Sequence, residues 1–230
     1  PPSGPYDGRR QISSGPPLSD DDPPFSLTFT ATGVFGYVCV IHPGMFGVIS
    51  VVPEDGTLPQ TPAQASALGT RFFLGDIDEI RLLVENFRPA TGAARDGDSV
   101  AAVTAGLQAG GGASAHLFLP NNVTIKSGGV VVWTVADPSE IHTVTFLGGA
   151  PVPDFPEIVP PSQPGPPTLI FRAHVVAPTG GSRYGGSGYL NSGIIGPGGS
   201  VIFMFDTPPG EYEYICIIHP EMKGKVTVTP

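Results

Sequence analysis

Basic residues are scarce in this chain. Eleven Lys and Arg stand against 20 Asp and Glu, giving a formal net charge of −9. That deficit excludes the basic surface on which non-specific nucleic-acid binding depends. Charge of either sign is thin, at 13% of residues, while Val, Ile, Leu and Phe recur in short blocks. A charged disordered chain has the opposite composition. Long hydrophobic runs are missing as well: no apolar stretch approaches the roughly 20 residues that a membrane-spanning helix needs. Cysteine is scarce too. Cys39 and Cys216 are the only two in 230 residues, so one disulfide is the most the chain can form. What is abundant is Gly (32) and Pro (28), which favours strands and structured loops over long helices.

A chain of this length makes one large or two modest domains. It begins Pro1-Pro2, without Met and without a signal-peptide pattern, so a processed or incomplete product is expected. Export fits that reading. Asn122-Val123-Thr124 matches a glycosylation sequon, a pattern too frequent by chance to carry weight.

An internal repeat organises the rest. YVCVIHPGMFG (Tyr37 to Gly47) returns as YICIIHPEMKG (Tyr214 to Gly224). Upstream, LTFTATGVFGYVC (27–39) pairs with FMFDTPPGEYEYIC (203–216), and YDGRRQISSG (6–15) with YGGSGYLNSG (184–193). Downstream, FGVISVV (46–52) pairs with KGKVTVT (223–229). Residues 1–53 thus duplicate roughly 179–230. The period is too long for a solenoid and indicates a duplicated domain.

The second copy has much more in front of it. HLFLP (116–120), NVTIKSGGVVVWTV (122–135) and HTVTFLG (142–148) read as strands, with TLIFRAHVV (168–176) beyond a Pro-rich excursion (151–167). Three more follow in 200–207, 211–218 and 224–229. Seven or eight short strands in such a span predict a β-sandwich, assigned to residues 114–230. Only the last three have counterparts in residues 1–53. Three strands cannot bury a two-sheet core, so the first domain is expected to be incomplete, its front half lying upstream of Pro1 or coming from another chain. Residues 54–113 are read as a connector. A helical face at Phe73, Ile77, Ile80, Leu83, Val84 and Phe87 is predicted, with Asp76 and Asp78 near its start and Arg88 and Pro89 near its end. The helix is expected simply to pack between sandwiches. A Gly/Ala-rich link (105–115) is expected to follow.

Each copy of Cys-x-x-His-Pro-x-Met places a thiol, an imidazole and a thioether within seven residues. That donor set favours copper over a hard ion. His142, opening the strand HTVTF after Asp137-Pro138, is the candidate second imidazole. Two plainer readings compete: a Cys39–Cys216 disulfide, and cysteines acting as small apolar core residues. Duplication of His and Met at fixed offsets from each Cys disfavours both. His116 and His174 are read as structural or surface residues and Trp133 as core. Tyr37 and Tyr214 are read as packing beside the sites.

With these motifs the chain resembles the cupredoxins, the plastocyanin- and amicyanin-like blue copper proteins. The short Cys-x-x-His-Pro-x-Met loop is most similar to that of amicyanin, and DPSEIHTVTF resembles the segment that bears the first His ligand. The resemblance implies an all-β chain of tandem cupredoxin-like Greek-key β-sandwiches joined by a short helical connector. It implies a type 1 copper site of His142, Cys216, His219 and Met222. In the first domain Cys39, His42 and Met45 match, but no residue there matches the first His. It further implies single-electron transfer between transient redox partners, docking near Ile218 and Pro220 around His219, in an exported protein that is periplasmic, cell-surface or extracellular. Related multicopper enzymes use His-x-His pairs, and this chain has five His and no such pair, so no enzyme is expected. A copper-stabilised structural or assembly module, or a copper-storage protein, is the alternative. A homo-oligomer, or another chain completing the first domain, fits either.

Overall fold

The computed structural model describes residues 4–15, 24–42, 44–88, 99–162 and 167–230. Pro43, Pro89, Gly92 and the centre of the Pro-rich excursion lie outside these ranges. The chain divides into two compact units, Pro1–Phe73 and Leu74–Pro230, with the boundary inside a helix.

In the first unit β1 (Gly4–Tyr6) runs parallel to β2 (Leu27–Phe29), and β3 (Gly33–Val38) forms an antiparallel hairpin with β4 (Phe46–Val51). Helix α1 (Pro62–Glu85) then begins, 24 residues long. Its start lies well before the expected Asp76 and Asp78, because Thr61-Pro62-Ala63-Gln64 is a capping box. Gln64 N–H donates to Thr61 Oγ1 at 3.2 Å and Thr61 N–H donates to Gln64 Oε1 at 2.8 Å, with Pro at the first helical position. No described residue of α1 is buried, and Phe73, Ile77 and Leu83 are exposed.

The second unit contains β5 (Val100–Gln108), β6 (Ser114–Leu119), β7 (Asn122–Lys126), β8 (Val130–Val135), β9 (Thr145–Phe146), β10 (Glu157–Val159) and β11 (Thr168–Ile170). There follow the one-turn helix α2 (Ala173–Val176), β12 (Arg183–Tyr184), β13 (Leu190–Asn191), β14 (Ser200–Phe205), β15 (Gly210–Ile215) and β16 (Lys223–Thr229). The strand expected over 168–176 therefore stops at Ile170. Ten of these strands form two five-stranded sheets, ordered β12-β14-β8-β5-β6 and β13-β9-β15-β16-β7. Apolar residues alternate inward along the strands, as in the buried Val123 and Ile125 of β7. The inner faces meet over Trp133, Phe146, Phe203, Phe205 and Tyr214. Trp133 and Tyr214, one from each sheet, touch edge to face with centroids 5.3 Å apart.

β5 corrects the reading of residues 105–115 as a Gly/Ala-rich link and of the second domain as starting at 114. It is the second-from-edge strand, parallel to β8 and antiparallel to β6, so the sandwich takes in residues from Val100 onward. Its small side chains suit the position, since buried Val103 and Ala105 share the core with the bulky Trp133.

The duplication is geometric as well as sequential. Tyr6 pairs with Phe29 in parallel register, as Tyr184 does with Phe205. Their rings meet edge-on at 5.6 Å and 5.9 Å respectively. In each hairpin the Tyr lies opposite a Gly, Tyr37 to Gly47 and Tyr214 to Gly224, and a Cβ on that Gly would overlap the Tyr ring.

Candidate metal centre

The centre is built on the turn that leaves β15. Cys216 N–H donates to the Met222 carbonyl at 3.0 Å and Met222 N–H to the His219 carbonyl at 2.8 Å. These bonds close the loop so that residues three and six positions beyond Cys216 return to it. The first unit repeats the closure, with Cys39 N–H to the Met45 carbonyl at 2.8 Å and Met45 N–H to the His42 carbonyl at 2.9 Å.

His142 lies in the loop from β8 that leads into β9, the strand paired with β15. Asp137 Oδ1 accepts the backbone N–H groups of Ser139 (2.8 Å) and Glu140 (3.1 Å), which turns the DPSEIH loop. His142 then bridges to Ile195 through two backbone hydrogen bonds, of 3.0 and 2.8 Å. Its ring sits over Gly106, where β5 carries a bulge and φ is +71°. A Cβ at that position would strike His142 Nε2. Glycine is needed there both for the backbone conformation and for the ring.

Cys216 Sγ lies 3.9 Å from His142 Nδ1 and 3.7 Å from His219 Nδ1. All three donor atoms fall within 4.8 Å of one another. Cys216 and His142 are fully buried, and the His219 side chain keeps 11% of its exposure. Both cysteines are free thiols. Burial pushes the Cys216 thiol above its ordinary value, opposed chiefly by the Thr143 N–H, which donates to the sulfur at 3.3 Å. Burial lowers His142 to about 4, helped by His116 and opposed by Asp137. The imidazole is therefore neutral at neutral pH, the form that ligates metals.

Thr143 locks the two sides together. Its Oγ1 accepts the Ile217 N–H at 2.8 Å and is in turn bonded by Thr145 Oγ1 at 3.2 Å. Thr145 reaches Asn191 Oδ1 at 2.9 Å, and Asn191 Nδ2 donates to the carbonyls of His174 and Val175. This buried chain holds the Cys216 loop against β9 and α2.

The cysteine, the two histidines and the loop containing Met222 are thus assembled at one end of a two-sheet sandwich with the strand order given above. The second unit is a two-sheet β-sandwich. No family model matches the chain, and no curated protein matches its sequence. Solved amicyanin structures resemble it in part. A reduced Cu(I) amicyanin mutant at pH 4 shares 20% identity over 62% of this chain and 92% of its own, with a TM-score of 0.34. Amicyanin from Paracoccus versutus (Thiobacillus versutus) gives 19%, 62%, 92% and 0.34. An oxidised amicyanin mutant gives 18%, 62%, 97% and 0.34.

The remaining candidates are placed as follows. Met222 is buried in the same core as Cys216. In the first unit Cys39 Sγ is 3.4 Å from His42 Nδ1, while Met45 is 62% exposed and no second imidazole exists in that unit's sequence. Tyr214 is core, whereas Tyr37 is exposed. His116 is not the isolated residue that its apolar neighbours suggest: its ring stacks on His219 at a centroid distance of 3.7 Å. Glu140, part of the DPSEIHTVTF segment but not read there as a site residue, is buried beside His219. The only sequence hint of it is the acidic residue two before His142.

Proposed function

We propose that this protein is a type 1 copper protein that carries single electrons between transient redox partners. The supporting observation is the buried convergence of His142, Cys216 and His219 within 4.8 Å. One thiol and two imidazoles fit copper better than magnesium or calcium, which take oxygen donors. His142, Cys216 and His219 would hold the ion, with Met222 as a weak fourth donor. Copper bound there would supply a one-electron couple.

The chain's own residues do the rest. Cys216 gives up its proton to ligate, and the Thr143 N–H stabilises the resulting thiolate. The Thr143–Thr145–Asn191 chain and the Gly106 cradle fix the rings before any ion arrives, which limits rearrangement between oxidation states. Three to four protein donors leave no designed opening for substrate, so a carrier is favoured over a catalyst. His219 is the donor nearest solvent. Exposed Pro220 and half-buried Ile218 beside it form a small apolar rim suited to brief encounters. The donor chemistry is compatible with an exported, periplasmic or extracellular setting. We read Cys39, His42 and Met45 as a partial site that becomes a full one only if another chain, or another part of the same protein, adds an imidazole.

The test is voltammetry of the full chain after copper loading. A reversible one-electron wave, lost in Cys216→Ser, supports the reading. Tightly bound copper that cannot be cycled points instead to the storage or structural alternative.

A further inference from the structure

We propose that the outer face of the β3–β4 hairpin is the surface through which two copies of this chain associate. It involves no residue of the copper site proposed above. The duplicated hairpins share one register: Val34 pairs with Ser50 and Val38 with Phe46, as Glu211 does with Thr227 and Ile215 with Lys223. Each residue of one hairpin therefore has a fixed counterpart in the other. In β15 and β16 the outer face is charged, carrying Glu211, Glu213, Lys223 and Lys225, and Lys225 Nζ donates to Glu211 Oε1 at 2.7 Å. The same positions in β3 and β4 hold Val34, Gly36, Phe46 and Val48. The three side chains among these are between 60% and 75% exposed. Covering the inner face would not hide them. Tyr37 and Ile49 lie on that inner side, at the positions where Tyr214 and Val226 meet the opposite sheet.

The loss of charge extends along the whole segment. From Pro23 through Pro53 the chain has no Asp, Glu, Lys or Arg. Exposed strands are ordinarily kept apart by charged side chains, and this hairpin has none. Val38 lies on the same outer face and is 67% exposed. Together Val34, Val38, Phe46 and Val48 leave roughly 400–500 Å² of apolar surface bare, the size at which a patch marks an interaction site.

Charge and size indicate a second copy as the occupant. The chain carries a net charge of −9, so two copies repel over most of their surfaces and can meet without repulsion on an uncharged one. A basic partner would be recognised by acidic side chains, and a lipid surface by basic residues beside the apolar ones; the hairpin offers neither. A two-fold axis places the face against itself. Gly36 supplies relief for that match: a Cβ there would meet nothing within 4 Å, which leaves a notch between Val34 and Val38 for the Phe46 ring of the second copy. Two such faces remove roughly 800–1,000 Å² from water, the lower limit for a specific contact. The dimer is therefore in concentration-dependent exchange with the monomer.

The experiment is sedimentation velocity on the metal-free full chain over a range of concentrations. Reductant is present because Cys39 is a free, half-buried thiol. The variants restore the second unit's residues: Val34→Glu with Val48→Lys, and Phe46→Lys alone. The parent should pass from monomer to dimer as concentration rises, and each variant should raise the dimer Kd about tenfold or more. Phe46→Lys serves as the reading if the double variant does not fold. Added salt should tighten the parent dimer, since it screens like charge and the face has none. A parent that is monomeric at every concentration overturns the proposal; if that monomer floats with neutral phosphatidylcholine vesicles, the face binds lipid instead. A dimer with unchanged Kd in folded variants overturns it as well, because the contact then lies elsewhere, and so does a dimer that salt dissolves. No metal enters the measurement, so a missing thiolate–copper band would remove the copper reading and leave this result standing.

Discussion

At the scale of single residues, two groups control whether the copper site is ready for its ion. Gly106 is the first. Gly106→Ala places a methyl against His142 Nε2 at a positive-φ position. It should cost about 1–3 kcal/mol of stability and weaken copper binding together. Denaturant unfolding and copper titration of the variant check both; unchanged values would remove the cradle from the account. His142 is the second. Its pKa falls from 6.5 to about 4 on folding, so between those values the unfolded chain binds the extra proton. Stability of the metal-free protein is thus highest above pH 6.5, declines as pH falls toward 4, and loses on the order of 3 kcal/mol from this group. Unfolding curves at pH 7, 5 and 4 test the sign; a protein that becomes more stable on acidification contradicts it. The candidate donors were legible in the sequence because Cys, His and Met recur at fixed offsets in both copies. His116 and Glu140 were not, because their approach to His219 is made by β6 and by the Asp137 turn, which bring together residues far apart in the chain.

At the scale of elements, the duplicated hairpins offer an internal control. Gly224 faces the buried Tyr214 ring, and Gly47 faces the exposed Tyr37 ring. Gly224→Ala must displace a ring wedged against Phe118 and Trp133, and should cost about 1–3 kcal/mol. In Gly47→Ala the tyrosine can swing into solvent, so the loss should be well below that. Thermal melts of the two variants compare them; equal losses would mean that burial does not set the cost. Strands rich in β-branched residues, such as 122–135, could be read directly. β5 could not, because VAAVTAGLQ has few bulky side chains and its neighbour AGGG resembles a linker. Its strand state comes from pairing with β8 and β6, a non-local cause. The start of α1 was missed for a local reason: the Thr61–Gln64 capping box precedes the apolar face by more than two turns.

At the scale of the whole molecule, two units carry the same loop with different completeness. The second unit encloses its loop in a core of both sheets, while β3 and β4 leave Val34, Val38, Phe46 and Val48 exposed. Metal that binds the folded second unit should stabilise it by linkage, about 2.7 kcal/mol at a free concentration one hundred times Kd. Calorimetry with and without copper should therefore move the transition of the second unit and leave that of residues through Phe73 nearly unmoved. Equal shifts in both would show that the partial site binds as well. The central claim concerns which thiol holds the ion. The most direct measurement is the visible spectrum of the copper(II)-loaded full chain in the parent, Cys216→Ser and Cys39→Ser. The account predicts an intense thiolate–copper band in the parent, retained in Cys39→Ser and abolished in Cys216→Ser; a band that survives in Cys216→Ser contradicts it.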